Sequence, residues 1–175
     1  MINISKKEVE ALMEASKTET LSIEYRKIII EIIDKLKNQN DIAELFVDGA
    51  SDLHSKTGGI GGAVFLNGNE IYSFSEPLVE KTNNEAEYLA LIKGINTIID
   101  LNINDINIYS DSQLIVNQVK GDYKIKNDRM IELHSQVMDI LKNIDTWSIN
   151  HIRREKNKRS DILSKNGMIQ ARSSQ

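Results

Sequence analysis

No cysteine occurs anywhere in the 175 residues, which excludes disulfides and thiolate metal sites. Sites for hard cations, built from oxygen ligands, stay open. No apolar run approaches the roughly 20 residues that a bilayer span needs. The amino terminus carries Lys6, Lys7, Glu8 and Glu10 and has no apolar core of signal-peptide type. The expectation is a cytoplasmic protein. Proline occurs once, as Pro77, and is expected to end a strand. Internal repeats and low-complexity tracts are absent apart from a general Ile/Lys/Asn bias. What remains, 40% hydrophobic and 27% charged residues, is ordinary for a globular chain. The length allows one domain of about 100–150 residues plus an appendage.

The appendage is read at 1–40. Ser5 with Glu8 three residues on is a capping-box signature, followed by Val9, Leu12 and Met13 at helical spacing. A second helix from about Ser22 aligns Tyr25, Ile28, Ile29, Ile32, Ile33 and Leu36 on one stripe. The polar break KNQND at 37–41 marks a domain boundary.

From residue 44 the pattern switches to short strands. In 44–51 (ELFVDGAS) the apolar residues Leu45, Phe46 and Val47 lead straight into a carboxylate, Asp48, where an unpartnered ion would be costly to desolvate. Residues 59–67 and 70–75 flank Gly68 as a hairpin. Gly58, Gly59, Gly61 and Gly62 lack the lysine and spacing of a phosphate loop, and read as a turn and a bulged strand that another backbone approaches closely. The strongest helix is 83–101, capped by Asn83 or Asn84, with Tyr88, Leu91, Ile92, Ile95, Ile98 and Ile99 on its apolar face and Glu87 in its first turn. A strand through Ile106 and Ile108 stops at Ser110, a short helix spans 112–119, a loop 121–127 and an amphipathic helix 128–144. A fifth strand at 146–152 and a last helix at 158–171, with Asp161 in its first turn, complete the pattern. Tight hairpins followed by strand–helix–strand give an α/β fold, a mixed sheet with helices on its faces.

In open sheets with parallel crossovers, sites form beyond the carboxyl ends of the strands. Asp111 is expected there, and Glu87 and Asp161 at helix starts that could face it. Each acid also has a plainer explanation: Asp111 as a helix cap, Glu87 and Asp161 as favourable first-turn charges. Asp48 has the weakest such alternative. Together the four are expected to converge on one divalent-metal site. The formal net charge of −4 does not favour a polyanionic partner, yet Arg153, Arg154, Lys156, Lys158, Arg159 and Lys165 face only Glu155 and Asp161 within 151–165, a local +4. Local clusters, not totals, set the field that a phosphate meets. A solvated charge run would look the same.

Four stretches, in this order, resemble the motifs of type 1 ribonuclease H: FVDGAS, TNNEAEYLAL, SDSQLIVNQVKG and IRREKNKRSDIL. The likeness covers roughly 44–168. It implies a ribonuclease H-like fold over 41–175, a five-stranded mixed sheet of order 3-2-1-4-5 flanked by helices, with 1–40 as a helical N-terminal extension. It implies an endoribonuclease that hydrolyses the RNA strand of RNA–DNA hybrids, leaving 5′-phosphate and 3′-hydroxyl ends. By motif match Asp48, Glu87, Asp111 and Asp161 are the catalytic and metal-binding acids for two Mg²⁺ ions, with Mn²⁺ able to substitute and Asp48 bridging the pair. Gly49, Ala50, Ser51, Thr82, Asn83, Arg154 and Asn157 match substrate-binding positions. The implied partner is an RNA–DNA hybrid, with no membrane, and a monomer is favoured over a dimer.

The chain departs from the family pattern in the loop before Asp161. Many members carry a histidine there; this chain has Arg153-Arg154-Glu155, as in an Arg-Glu subgroup, and His151 reads as a strand residue. The segment GDYKIKN is too short for the basic helical protrusion of many members, and 1–40 does not resemble the aromatic hybrid-binding module of others. A non-catalytic binding module on the same fold is disfavoured by four acids facing phosphates. Proofreading exonucleases carry Asp-x-Glu on the first strand, which Asp48-Gly49-Ala50 does not match, and integrases generally use three acids.

Overall fold

A computed structural model describes residues 6–18, 20–37 and 42–173, with the backbone alone at 6 and 34–37. The chain divides into two compact units, Met1–Asp41 and Ile42–Gln175. In the first, α1 (Lys6–Lys17) and α2 (Ile23–Lys37) pack on each other. The stripe expected on α2 is split: Ile33 is buried and Ile29 half-buried, whereas Tyr25, Ile28 and Ile32 are exposed. Three and four residues apart, these side chains span more than one flank of the helix. The Ser5 cap, the side chain of Leu36 and the polar break at 38–41 lie outside the described residues. Among the described residues no helix is long and apolar enough to cross a membrane.

The second unit is built on β1 (Ala43–Asp52), β2 (Thr57–Leu66), β3 (Asn69–Val79), β4 (Asp105–Ser110) and β5 (Thr146–His151). They form one sheet of order β3-β2-β1-β4-β5. β1 and β3 run antiparallel to β2, while β4 lies parallel to β1 and β5 parallel to β4. β3 does not stop at Pro77, which pairs opposite Gly59 within the strand. An edge strand tolerates proline because the missing N–H can point away from the ladder. The only register shift between β2 and β3 falls at Val64/Phe65, beyond the glycines expected to carry a bulge.

Period-two alternation sends Leu45 and Val47 to one face of the sheet and Phe46 and Asp48 to the other. The first face holds the core: Leu45, Val47, Ile106 and Ile108 meet Leu91, Ile95 and Ile98 of α3 (Asn83–Asp100). α5 (Asp128–Leu141) packs against α3, as does α4 (Gln113–Lys120) more weakly. Buried Tyr88 of α3 donates to Gln118 Oε1 of α4 at 2.9 Å. The second face is covered over β1–β3 by α6 (Lys158–Ser173). Gly59 and Gly61 make that close seating possible, since a Cβ on either would come within 2.2 Å of α6 backbone atoms of Ser164. Close approach, not a turn, is what these glycines serve.

Candidate active site

Asp48 enters the site because alternation along β1 turns its side chain to the face that α6 covers. It is 4% exposed and accepts a hydrogen bond from Ser164 Oγ. Burial pushes its carboxyl up to about 6; the Ser164 hydroxyl opposes the rise, and the charges of Asp111 and Asp161 add to it.

Glu87 is placed by the start of α3. The cap is Thr82, not Asn83 or Asn84: its Oγ1 accepts from the Glu85 N–H at 3.3 Å, and Glu85 Oε2 accepts from the Thr82 N–H at 2.8 Å. This reciprocal capping box consumes Glu85, which also lies 3.8 Å from Arg129. Glu87 therefore falls beyond the first turn, 7% exposed. A Cβ at Gly49 would sit 2.3 Å from the Ala86–Glu87 peptide, so only glycine lets β1 come this near to α3. Burial pushes the Glu87 carboxyl up to about 9, with the charges of Asp48 and Asp111 adding to the rise and a hydrogen bond from Gly49 opposing it. Glu87 Oε2 is buried and, among the described residues, has no hydrogen-bond partner.

Asp111 follows the last residue of β4, beyond the strand's carboxyl end. Asn157, matched above to a substrate position, is 1% exposed. Its Nδ2 donates to Asp111 Oδ1 at 2.8 Å and to the Val47 carbonyl at 2.9 Å, and its Oδ1 accepts from Ser160 at 2.5 Å. One amide thus ties the end of β1, the end of β4 and the start of α6 together.

Asp161, in the first turn of α6, is 15% exposed in its side chain. Arg154 donates to its Oδ1 at 2.5 Å and Lys165 to its Oδ2 at 2.6 Å. Burial works to raise its pKa, but these two cationic donors outweigh it and hold the carboxyl below the usual range. Arg154 belongs to a 3-10 turn, Arg154–Lys156, between β5 and α6. His151 ends β5 and is exposed. Ser51 Oγ donates to the Lys81 carbonyl, Ala50 is half-buried beside it, and Asn83 opens α3 exposed.

The sheet ends and two helix starts thus gather Asp48, Glu87, Asp111 and Asp161 into one electrostatic neighbourhood. Ser164, Lys165 and the hydrogen bonds that Asn157 makes to Asp111 and Val47 escaped the motif reading. Asn157, Ser160, Asp161 and Ser164 recur at intervals of three and four, a helical stripe that could have shown them. Among the described residues, no three of the acids stand in a geometry that already ligates one ion. Their chemistry nonetheless fits a hard divalent cation: all donors are oxygens, and one buried carboxylate oxygen has no other partner.

Residues 46–167 match the family model described as reverse transcriptase-like. Ribonuclease HI of Halobacterium salinarum is 28% identical over 127 residues, covering 72% of this chain and 64% of its own length, so this chain spans somewhat less than two thirds of that curated relative. The N-terminal ribonuclease H domain of Rv2228c from Mycobacterium tuberculosis, solved as a fusion with maltose-binding protein, superposes with a TM-score of 0.70 at 25% identity, over 75% of this chain and 96% of that one. LC11-RNase H1, from compost and solved with an RNA/DNA hybrid, gives a TM-score of 0.69 at 29% identity, over 74% and 98%. A family match across most of the second unit, joined to the sheet order and these relatives, shows that the chain belongs to the reverse transcriptase-like family, in its type 1 ribonuclease H branch.

Proposed function

We propose that the protein is a metal-dependent ribonuclease H, an endoribonuclease that cuts the RNA strand of RNA–DNA hybrids and leaves 5′-phosphate and 3′-hydroxyl ends. The observation that carries this reading is Glu87: a carboxyl buried beside Asp48 and Asp111, with one oxygen unpartnered. Burying such a group is costly unless a cation completes it. The relatives add the substrate class, since one of them was solved with an RNA/DNA hybrid.

Asp48, Glu87, Asp111 and Asp161 are the residues that would hold two Mg²⁺ ions, or Mn²⁺ in their place. Bound there, the ions would supply activation of water and stabilisation of both oxygens in an in-line displacement at phosphorus. The rest of the work belongs to the chain. Asn157 holds Asp111 and Ser164 holds Asp48, so two of the four acids already have their side chains fixed by neutral donors. Thr82 and Asn83 present the start of α3, next to a groove of about 260 Å³ lined in part by Lys56, Lys81 and Arg129, where a strand backbone would find cations. Ala50 and Ser51, half-buried at the end of β1, would face the ribose side, where 2′-hydroxyls in a wide minor groove distinguish RNA from DNA.

Cleavage of matched RNA–DNA, RNA–RNA and DNA–DNA duplexes with Mg²⁺ or Mn²⁺ tests the reading. The expected outcome is cutting of the hybrid's RNA strand alone. An all-DNA duplex cut at a comparable rate would overturn the ribonuclease assignment, and binding without any cutting would point to a non-catalytic module.

A further inference from the structure

Three of the four acids are held by neutral donors or by none. Asp48 accepts from the Ser164 hydroxyl, Asp111 from the Asn157 amide, and Glu87 keeps an orphan oxygen. Asp161 alone has both oxygens taken by cations, Arg154 on one and Lys165 on the other. The two cations are not equivalent. Lys165 sits one turn along α6 from Asp161, an i,i+4 pair that the helix itself holds in register. Arg154 comes from a separate 3-10 turn, has a side chain 67% exposed, and reaches in from the solvent side over a carboxylate that is 15% exposed. An ion pair with so exposed a partner is worth little net and opens readily. Its guanidinium also suits the bidentate geometry of a phosphate at least as well as that of a carboxylate.

We propose that Arg154 is a resident counter-ion: it occupies Asp161 in the metal-free protein and passes to a substrate phosphate when a divalent cation takes Asp161. This inference rests on the two-cation reading above. Asp48, Glu87 and Asp111 then form the site that fills first, because among the described residues no cationic side chain bonds to their oxygens and Arg154 acts on them only through its charge at longer range. The ion that needs Asp161 binds more weakly until the guanidinium has somewhere else to go. Because coupling between sites is reciprocal, a phosphate that captures Arg154 strengthens cation binding at Asp161 by the same factor by which the cation strengthens phosphate binding. Arg154 is on this view a positioning residue whose two partners alternate.

Calorimetric titration of Mn²⁺ into the full chain, without nucleic acid, is the first test. Wild type is expected to show a tighter and a weaker event, and Asp161→Asn to lose the weaker one. Arg154→Ala should strengthen the weaker event about tenfold, a typical size for such coupling. Anisotropy with an RNA–DNA hybrid in chelator gives the second arm. There Asp161→Asn, which frees the guanidinium, should tighten binding, and the double variant with Arg154→Ala should lose most of that gain. A weaker event unchanged within twofold in Arg154→Ala, or a gain in Asp161→Asn that survives removal of Arg154, would overturn the proposal. Both arms read binding rather than turnover. A protein that shows the coupling yet leaves hybrids uncut refutes the ribonuclease reading alone, and one that cuts hybrids without the coupling refutes the counter-ion alone.

Discussion

Replacing Glu87 by Gln should make the metal-free protein more stable at alkaline pH, and the size of the effect follows from its burial. In the folded chain the Glu87 carboxyl is pushed up to about 9 from an ordinary 4.5. Between those values the folded state keeps a proton that the unfolded state has lost, so stability falls as pH rises through the window. From pH 5 to pH 8 that loss amounts to about 4 kcal/mol at face value, at 1.36 kcal/mol per unit. Neighbouring Asp48 titrates with it and water can relax the site, so about 2–4 kcal/mol is expected. Gln keeps the shape and cannot ionise, so this share of the pH dependence should vanish. Urea unfolding of the chelated full chain at pH 5 and pH 8 measures it, followed by Trp147, the single tryptophan, which lies in β5. Adding Mn²⁺ at pH 8 should restore wild type far more than the variant. Parallel pH profiles for the two proteins would refute the reasoning, because they would mean that Glu87 is not the group whose buried charge opposes folding.

Asp48→Asn or Asp111→Asn should each lower hybrid cleavage at least about a thousandfold, some 4 kcal/mol in the barrier, while hybrid affinity by anisotropy is kept or raised as phosphate repulsion is relieved. Gly61→Ala should destabilise the second unit by about 2 kcal/mol or more, since the new methyl meets α6 backbone 2.2 Å away that cannot swing aside as a side chain would; a urea midpoint within error of wild type would contradict that packing. Removing residues 1–41 should leave cleavage of a short hybrid within about tenfold, because all four acids and the whole sheet belong to the other unit. A folded but inactive truncation would show that the helices contribute to the site.

Much of this protein was determined locally and could be read without coordinates. Alternation in 44–51 and the apolar face of 83–101 report strand and helix because each period depends only on backbone geometry. Asp48 was visible as a carboxylate at the end of a hydrophobic strand, and Asp111 as the residue after one. The order of four motifs carried the family, and with it the sheet order, which β1 paired between β2 and β4 displays. Pro77 misled because proline's cost depends on whether a strand lies at an edge, a property of the sheet and not of the strand. Thr82 took the cap from its asparagine neighbours because Glu85 was there to close the box.

Only the tertiary structure decided which groups hold the acids in place. Asn157 bonds to Val47 across 110 positions of chain, and Ser164 to Asp48 across 116. No periodicity reports such pairs, since they exist only once α6 is seated on glycines that let its backbone touch β2. The same seating buries Asn157 as a tie between β1, β4 and α6. It also brought Lys165 to one oxygen of Asp161, while the turn before α6 brought Arg154 to the other. Sequence determines where each charge sits on its own element; which charges meet, and which carboxyl keeps an oxygen unpaired among the described residues, depends on how those elements are stacked. For Glu87 that distinction is the whole of its chemistry, because an acid one turn into a helix is unremarkable until burial removes its water.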